Sequence, residues 1–460
     1  MHGSGPSPGA PPDPALRREQ RGWYFYDWAN SAYVTTVGTV ILGPYLSRVA
    51  ERAACGAPGT PDHPCSANLD VLGVPIAPGS LVLYVVTAST LLSAILLPIV
   101  GAFADRSGSK RTHLIAYAMV GSFAAMGLFF LAGTTWQLGA GLQFVANLSL
   151  GASLVVYDAI LVDISDPDDR DRVSSRGWAM GYLGGGLLLA LNLVLVEGAS
   201  GFGISGEMAA RISLFSAGLW WGAFSIVPYL LLRDRPPIHP VAGRGGIGHG
   251  FTQLLVTLKS LRLYPVTLTF LLAYLFFNDG VQTVISAAAI YGDRQLGLSQ
   301  TVLIATILLV QFVAFGGALL FGRLARRFGS RRSILGSLVV WVAVVCCAFF
   351  LPAGRAVPFL VLAVAIGVVL GGTQALSRSF YSLLIPRGRE AEYFSLYQAC
   401  ERGTSWLGTL VFGLVHQLTN SYRPAIVSLV VFFVLGFVLL ARVDPNRGIR
   451  EAGNRVPMVV

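Results

Sequence analysis

Apolar residues gather along this chain into stretches of roughly 20 or more, broken by short polar or basic turns. Each is long enough to cross ~30 Å of hydrocarbon as a helix rising ~1.5 Å per residue. Twelve such stretches occur, near 23–47, 80–104, 113–133, 136–162, 177–197, 208–232, 264–291, 300–322, 333–352, 356–385, 393–419 and 424–441. Glycines and single polar residues interrupt several of them, which inner helices of a bundle tolerate because neighbours satisfy the freed polar groups. The pattern predicts an all-α polytopic membrane protein with twelve transmembrane helices.

The turns carry a duplication. GAFADRSGSKR at Gly101–Arg111 returns 221 positions later as GRLARRFGSRR at Gly322–Arg332, and Arg176-Gly177 has a like-placed partner in Arg402-Gly403. Two pseudo-symmetric six-helix halves, 23–232 and 264–442, are therefore expected around a shared cavity, joined by a Pro- and Gly-rich cytoplasmic linker at 233–263. Residues 1–22 read as a disordered cytoplasmic tail and 443–460 as a second tail.

Composition excludes an ordinary soluble domain. Hydrophobic residues make up 54% of 460 and charged residues 12%, with a mean hydropathy of +0.65, against about 25% charged in soluble chains. The net charge of +10 sits mostly in turns on one side of the predicted membrane, so positive-inside bias explains it without a nucleic-acid partner. Both termini are expected in the cytoplasm. Lys occurs only at 110 and 259 against 31 Arg, which suggests a GC-rich, bacterial genome and hence a bacterial plasma membrane. Residues 1–16 lack the apolar region of a cleavable signal.

Cys55 and Cys65 share the first outer loop, where an oxidising exterior permits a disulfide; Cys346, Cys347 and Cys400 read as packing residues in helices. No spacing suits a metal site, and the acidic run Asp163–Asp171 lacks the Gly and terminal Glu of a calcium loop. The string GYLGGG has no acidic ribose partner and reads as a small-residue face on helix five. There is no phosphate-binding loop, so no cofactor is expected and ATP is not the direct energy source.

The basic turn Gly101–Arg111 resembles the signature loop between helices two and three of the major facilitator superfamily. YDWANSAY (Tyr26–Tyr33), SSRGWAMGYLGGG (Ser174–Gly186), NDGVQTV (Asn278–Val284) and GGTQALSRS (Gly371–Ser379), the last followed by EAEYFSLYQACERGTSWLG (Glu390–Gly408), resemble its vacuolar amino-acid effluxer branch. The resemblance spans Arg21 to Arg442 and implies amino acids as the solute class. Asp158 departs from it, standing where relatives often have Asn. Arg326 replaces the acid found at Asp105, so only the first turn is expected to supply a gate carboxylate.

Ionisable groups at membrane depth are costly and point into the bundle or a watery cavity. Asp279, with Asn278 and Gln282, is the leading candidate for binding substrate or a coupling proton; its structural alternative is a carboxylate hydrogen-bonded to a neighbouring helix. Asp27 and Asn30 on helix one and Gln374 on helix ten complete that group. A gating network is expected from Asp105, Arg106 and Arg111 in the first turn with Asp158, Arg378, Glu401 and Arg402 near the inner ends of helices four, ten and eleven. Arg402 and Glu401 could instead form a surface pair reaching interfacial water. The leading reading is a secondary transporter, an effluxer of a small polar or zwitterionic solute, embedded in the lipid bilayer and working as a monomer by alternating access, with proton coupling an open option. The alternatives are a lipid or envelope-precursor exporter and, in another class, a membrane enzyme or receptor. An enzyme is disfavoured because no nucleophile and base are paired.

Overall fold

Helices begin where a side chain can take up the orphan amides of a first turn. Asp13, ahead of Pro14, accepts from Ala15 N at 2.9 Å; Ser205 accepts from Met208 N and Asp444 from Arg447 N, both at 3.1 Å. In the computed structural model, which describes residues 13–59, 65–71, 73–238, 259–403 and 405–460, twelve helical passes follow the order of the apolar stretches. The first half holds α1 (Pro14–Tyr33, continued by a π-helical Val34–Ile41 and by Leu42–Cys55), α2 (Leu81–Ser107), α3 (Lys110–Gly127), α4 (Trp136–Asp163), α5 (Arg170–Glu197) and α6 (Gly206–Leu231). The second holds α7 (Pro265–Ile290), α8 (Gln300–Phe328), α9 (Ser330–Phe349) and α10 (Ala356–Leu383). It ends with α11 (Glu390–Gly403 and Ser405–Thr419) and α12 (Tyr422–Ser428 and Val430–Arg442). Among the described residues ten helices are long and apolar enough to span a bilayer by those measures alone. The other two, α1 and α11, are each described in pieces and carry the charged residues treated below.

The repeat is visible in the backbone. Gly108 and Gly329, 221 positions apart, end α2 and α8 with φ of 66° and 85°, a region in which a Cβ is strained, so both basic turns need glycine there. The GYLGGG face does pack closely: a Cβ at Gly184 would lie 2.6 Å from Trp28 O, and one at Gly181 2.7 Å from Ser31 Oγ, which seats α5 against α1. Large apolar side chains such as Leu91, Phe123, Leu230 and Val361 are exposed around the bundle, the surface that hydrocarbon covers.

At one end of the bundle, the α1–α2 loop carries the Cys55–Cys65 disulfide, Cα atoms 5.9 Å apart. The same loop holds a two-stranded hairpin, β1 (Leu69–Val71) and β2 (Val74–Ile76), with Leu69 opposite Ile76. The basic turns lie at the other end.

Both expected tails need correction. Residues 14–22 belong to α1, because Asp13 and Pro14 start it there and Glu19 and Gln20 are buried; Gln20 Nε2 donates to Ile164 O at 2.9 Å. Beyond residue 443 a short helix, α13 (Pro445–Glu451), buries Ile449. Asn454 Nδ2 then donates to Leu383 O and Ile385 O at 2.9 and 2.8 Å, Arg455 pairs with Asp168, and Met458 N donates to Asp168 Oδ1 at 2.7 Å. This terminal strap is anchored on the second half and reaches the α4–α5 loop of the first. Polar composition disguised it, since its contacts are hydrogen bonds to backbone. Of the expected linker, residues 233–238 lie along the first half, with Arg235 on Glu19 at 2.9 Å and Asp234 on Arg111 at 3.3 Å; residues 239–258 lie outside the described residues.

Candidate functional site

The two halves close on each other at the basic end. Gly101 on α2 faces the start of α11 so tightly that a Cβ would lie 2.3 Å from Ala391 O; its repeat equivalent Gly322 on α8 faces the start of α5, where a Cβ would lie 2.7 Å from Ser175 Oγ. Polar contacts lock each seam. Asp105 accepts from Ala391 N and Glu392 N at 3.0 and 2.9 Å, so its carboxylate caps the first turn of α11. Lys110 lies among Asp163 at 3.1 Å, Glu390 at 3.4 Å and Asp105 at 3.7 Å.

The second basic turn holds no carboxylate of its own, yet the seam it joins has one. Asp171, in the first turn of α5, accepts from Ser330 Oγ at 2.6 Å and from Ser379 Oγ. The acid has moved from the turn to the helix facing it, with Ser330 of the second basic turn as donor. Arg170 beside it donates to Ser382 O at 3.0 Å, again across the halves.

Away from the basic end α5 and α8 remain packed on each other across the halves, while the outer pieces of α1 and α11 do not. The Ser405–Thr419 piece of α11 packs on α7 and α12, and Leu42–Cys55 of α1 packs on α2, α4 and α6, each within its own half. Between the closed seams and the disulfide end lies a cavity of about 170 Å³ lined by α1, α4, α5, α8, α10 and α11, comparable to the ~150 Å³ cavity known to admit benzene. Arg378 sits at its wall, with Nη2 3.2 Å from Asp27 Oδ2, Nη1 3.3 Å from Asp158 Oδ1 and Nε 3.0 Å from Ser174 Oγ. Its guanidinium lies over Trp23, 4.7 Å from the ring centroid. Gln398 Nε2 donates to Asp158 Oδ2 at 2.8 Å and to Glu401 Oε2 at 3.3 Å, and Arg402 Nε reaches Gln398 Oε1 at 3.3 Å. The lining thus holds three carboxylates, Asp27, Asp158 and Glu401, against two guanidiniums, Arg378 and Arg402. With all five ionised, one negative charge is left over.

The expected residues fall into three places. Asp27, Asn30, Asp158, Arg378, Glu401 and Arg402 line the cavity, so Glu401 and Arg402 are not a surface pair. Gln374 and Asn278 stand behind its wall: Gln374 Nε2 donates to Asn278 Oδ1 at 2.8 Å, and Asn278 Nδ2 to Glu401 O at 3.2 Å. Asp279 and Gln282 are not among the lining residues. Asp279 is fully buried against α11, where Gly408 N donates to Oδ2 at 2.8 Å while Oδ1 has no partner among the described residues. At the basic end Asp105 joins the first seam, Arg106 lies half-buried next to it, and Arg111 turns to Asp234 and to the Tyr229 ring instead. The sequence reading missed Lys110, Asp171, Ser174, Gln311 and Gln398 as site residues. Two signals were available: Lys110 is one of two lysines in the chain, and Gln398 is one helical turn from Arg402. Gln311, whose Nε2 donates to Thr35 Oγ1 at 3.0 Å across the halves, gave none.

Comparison with known proteins agrees with this geometry. The chain matches the family described as vacuole effluxer Atg22 like over residues 15–168 and 162–453. It is 30% identical over 450 residues to YxiO of Bacillus subtilis, described as an uncharacterized MFS-type transporter, covering 96% of this chain and 99% of that one. Autophagy-related protein 22 of Pyricularia oryzae is 25% identical over 543 residues, covering 97% and 79%. Among solved structures, the proton:xylose symporter XylE superposes with a TM-score of 0.70 at 13% identity over 95% of this chain and 98% of that one. The E. coli fucose:proton symporter FucP gives 0.67 at 12% over 93% and 98%. At those identities the likeness is one of fold.

Proposed function

We propose that this chain, which belongs to the vacuole effluxer Atg22-like family of membrane transporters, is a secondary active carrier that effluxes a small zwitterionic solute, amino acids foremost, by alternating access. It is a transporter of the major facilitator superfamily and not an enzyme.

The observation that carries the reading is the cavity between the halves, with its one surplus negative charge. A zwitterion brings an ammonium group that the carboxylates Asp27, Asp158 and Glu401 can meet, and a carboxylate that Arg402 can meet at the same time. A proton on one of the three acids would relieve the same surplus charge, so solute and proton would compete for the cavity, which is the logic of exchange. The volume supports a solute of roughly amino-acid size and argues against a lipid, whose acyl chains need a far longer groove.

Positive-inside bias supports an orientation with the basic end and both termini in the cytoplasm and the disulfide outside, in a bacterial plasma membrane. The closed basic end then makes this the outward-facing state. The cycle continues when the Asp105 and Asp171 seams open and the disulfide end shuts. One chain holds both halves of the cavity, so a monomer suffices.

Counterflow in proteoliposomes of the purified protein, with labelled amino acids, betaines and a fluorescent phospholipid offered in parallel, tests this. Saturable exchange of an amino acid, stimulated by an opposing pH gradient, is expected. Phospholipid movement without amino-acid exchange would replace the reading by a lipid exporter.

A further inference from the structure

The two copies of the basic turn differ in how their charge is balanced. In the first, Lys110 is surrounded by Asp105, Asp163 and Glu390, and Arg111 is paired with Asp234. In the second, the position of the acid is taken by Arg326. Arg323, Arg326, Arg327 and Arg332 are all exposed there, and no ion pair joins them to a carboxylate among the described residues. Residues 1–12 and 239–258, outside the described residues, contain no Asp or Glu.

The four guanidiniums are placed at a boundary. Arg326 and Arg327 lie three and four residues after Arg323 on the last turns of α8, so both neighbour it on the helix surface, with Arg332 just past Gly329. Exposed Leu320, at 44%, lies one turn before them and exposed Phe328, at 46%, beside them. An exposed helix face that changes from apolar to basic within one turn marks the level where hydrocarbon gives way to headgroups. Arg331 is not part of the patch, because its side chain caps Leu440 O and Ala441 O at the end of α12.

We propose that the α8–α9 turn is a binding site for anionic phospholipid headgroups, in which Arg323, Arg326, Arg327 and Arg332 hold the phosphate and Leu320 and Phe328 lie against the acyl chains. Arginine forks match phosphate oxygens in pairs, and near an anionic bilayer surface each basic residue strengthens binding by roughly fivefold. The first turn, internally neutralised, takes no such lipid. The asymmetry gives the bilayer a handle on the α5–α8 seam that it lacks on the α2–α11 seam. The proposal does not depend on which solute is carried.

The test is thermal unfolding of the full chain in mixed micelles with a rising fraction of phosphatidylglycerol, against phosphatidylcholine at equal lipid. The wild type should show a saturable stabilisation. The quadruple variant Arg323→Gln, Arg326→Gln, Arg327→Gln, Arg332→Gln should need at least tenfold more phosphatidylglycerol for the same shift, while Arg48→Gln with Arg294→Gln at the other end changes nothing. If the quadruple variant does not fold in phosphatidylcholine, Arg323→Gln with Arg327→Gln is read instead, with a loss of several-fold expected. An unaltered phosphatidylglycerol response in these variants, or inorganic phosphate reproducing the shift at equal concentration, would overturn the proposal.

Discussion

Arg378 and Asp27 stand 351 positions apart in sequence and 3.2 Å apart across the interface between the halves. The same guanidinium reaches Asp158 at 3.3 Å, so one cation from α10 holds two buried carboxylates from α1 and α4. A buried pair adds little net stability over an apolar isostere, but removing one partner strands the other, at about 3–5 kcal/mol.

Arg378→Gln strands two carboxylates and is expected to lower stability by about that amount and to abolish exchange. Adding Asp27→Asn should recover part of the lost stability without recovering transport. Thermal unfolding and counterflow on the single and double variants check this. Additive losses would mean that the two residues are not coupled.

Gly101 leaves no room for a side chain beside Ala391 O. Gly101→Leu should wedge α2 from α11 and shift the protein away from the state closed at the basic end. Impermeant labelling of a cysteine placed at Gln311 by Gln311→Cys, applied from the disulfide side, should then fall severalfold. Gly322→Leu should act the same way on the other seam. Labelling that stays at the parent level in both would sink this account.

How much of this was legible in the sequence differs by element. The apolar stretches gave the helices, and the spacing of Gly101 and Gly322 gave the halves, because hydrocarbon length and duplication leave marks along the chain. Asp27, Asp158 and Arg378 were readable as costly charges, but their meeting was not, since three helices must be packed before they touch. Asp171 illustrates the rest. It lies in a polar helix start where an acid is unremarkable, and only Ser330 and Ser379, 159 and 208 residues away, tie it across the halves. Asp279 drew attention for its depth, yet depth does not say whether a side chain faces a cavity or a neighbouring helix.

Asp105→Asn keeps an acceptor for one of the two α11 amides and removes the charge that favours the positive end of that helix, the charge alone worth about 0.3–2 kcal/mol according to burial. The closed-to-open ratio should drop by roughly twofold to thirtyfold. Spin labels on the α2–α3 turn and the α10–α11 loop would report it as a longer distance population. Asp171→Asn should do the same at the second seam, and the pair should add, since the two carboxylates share no partner.

Asp279→Asn keeps an acceptor for Gly408 N and removes a buried charge whose Oδ1 has no donor among the described residues. If Asp279 serves coupling, fold yield and unfolding temperature should hold or rise while exchange falls steeply. A destabilised variant with normal exchange and pH profile would make Asp279 a strut between α7 and α11 only.

Orientation can be read from the two disulfide cysteines. Cys55→Ser leaves Cys65 free, and an impermeant maleimide on intact cells should modify it, whereas a cysteine introduced in the 239–258 stretch should react only after lysis. The opposite pattern would invert the topology.

Because Asn454 is tied to carbonyls at the end of α10 while Arg455 and Met458 reach Asp168 of the other half, the last residues bridge the two halves, and any motion of one half on the other would pull on them. A purification tag, a fluorescent reporter or a surface tether joined after Val460 would load that joint directly.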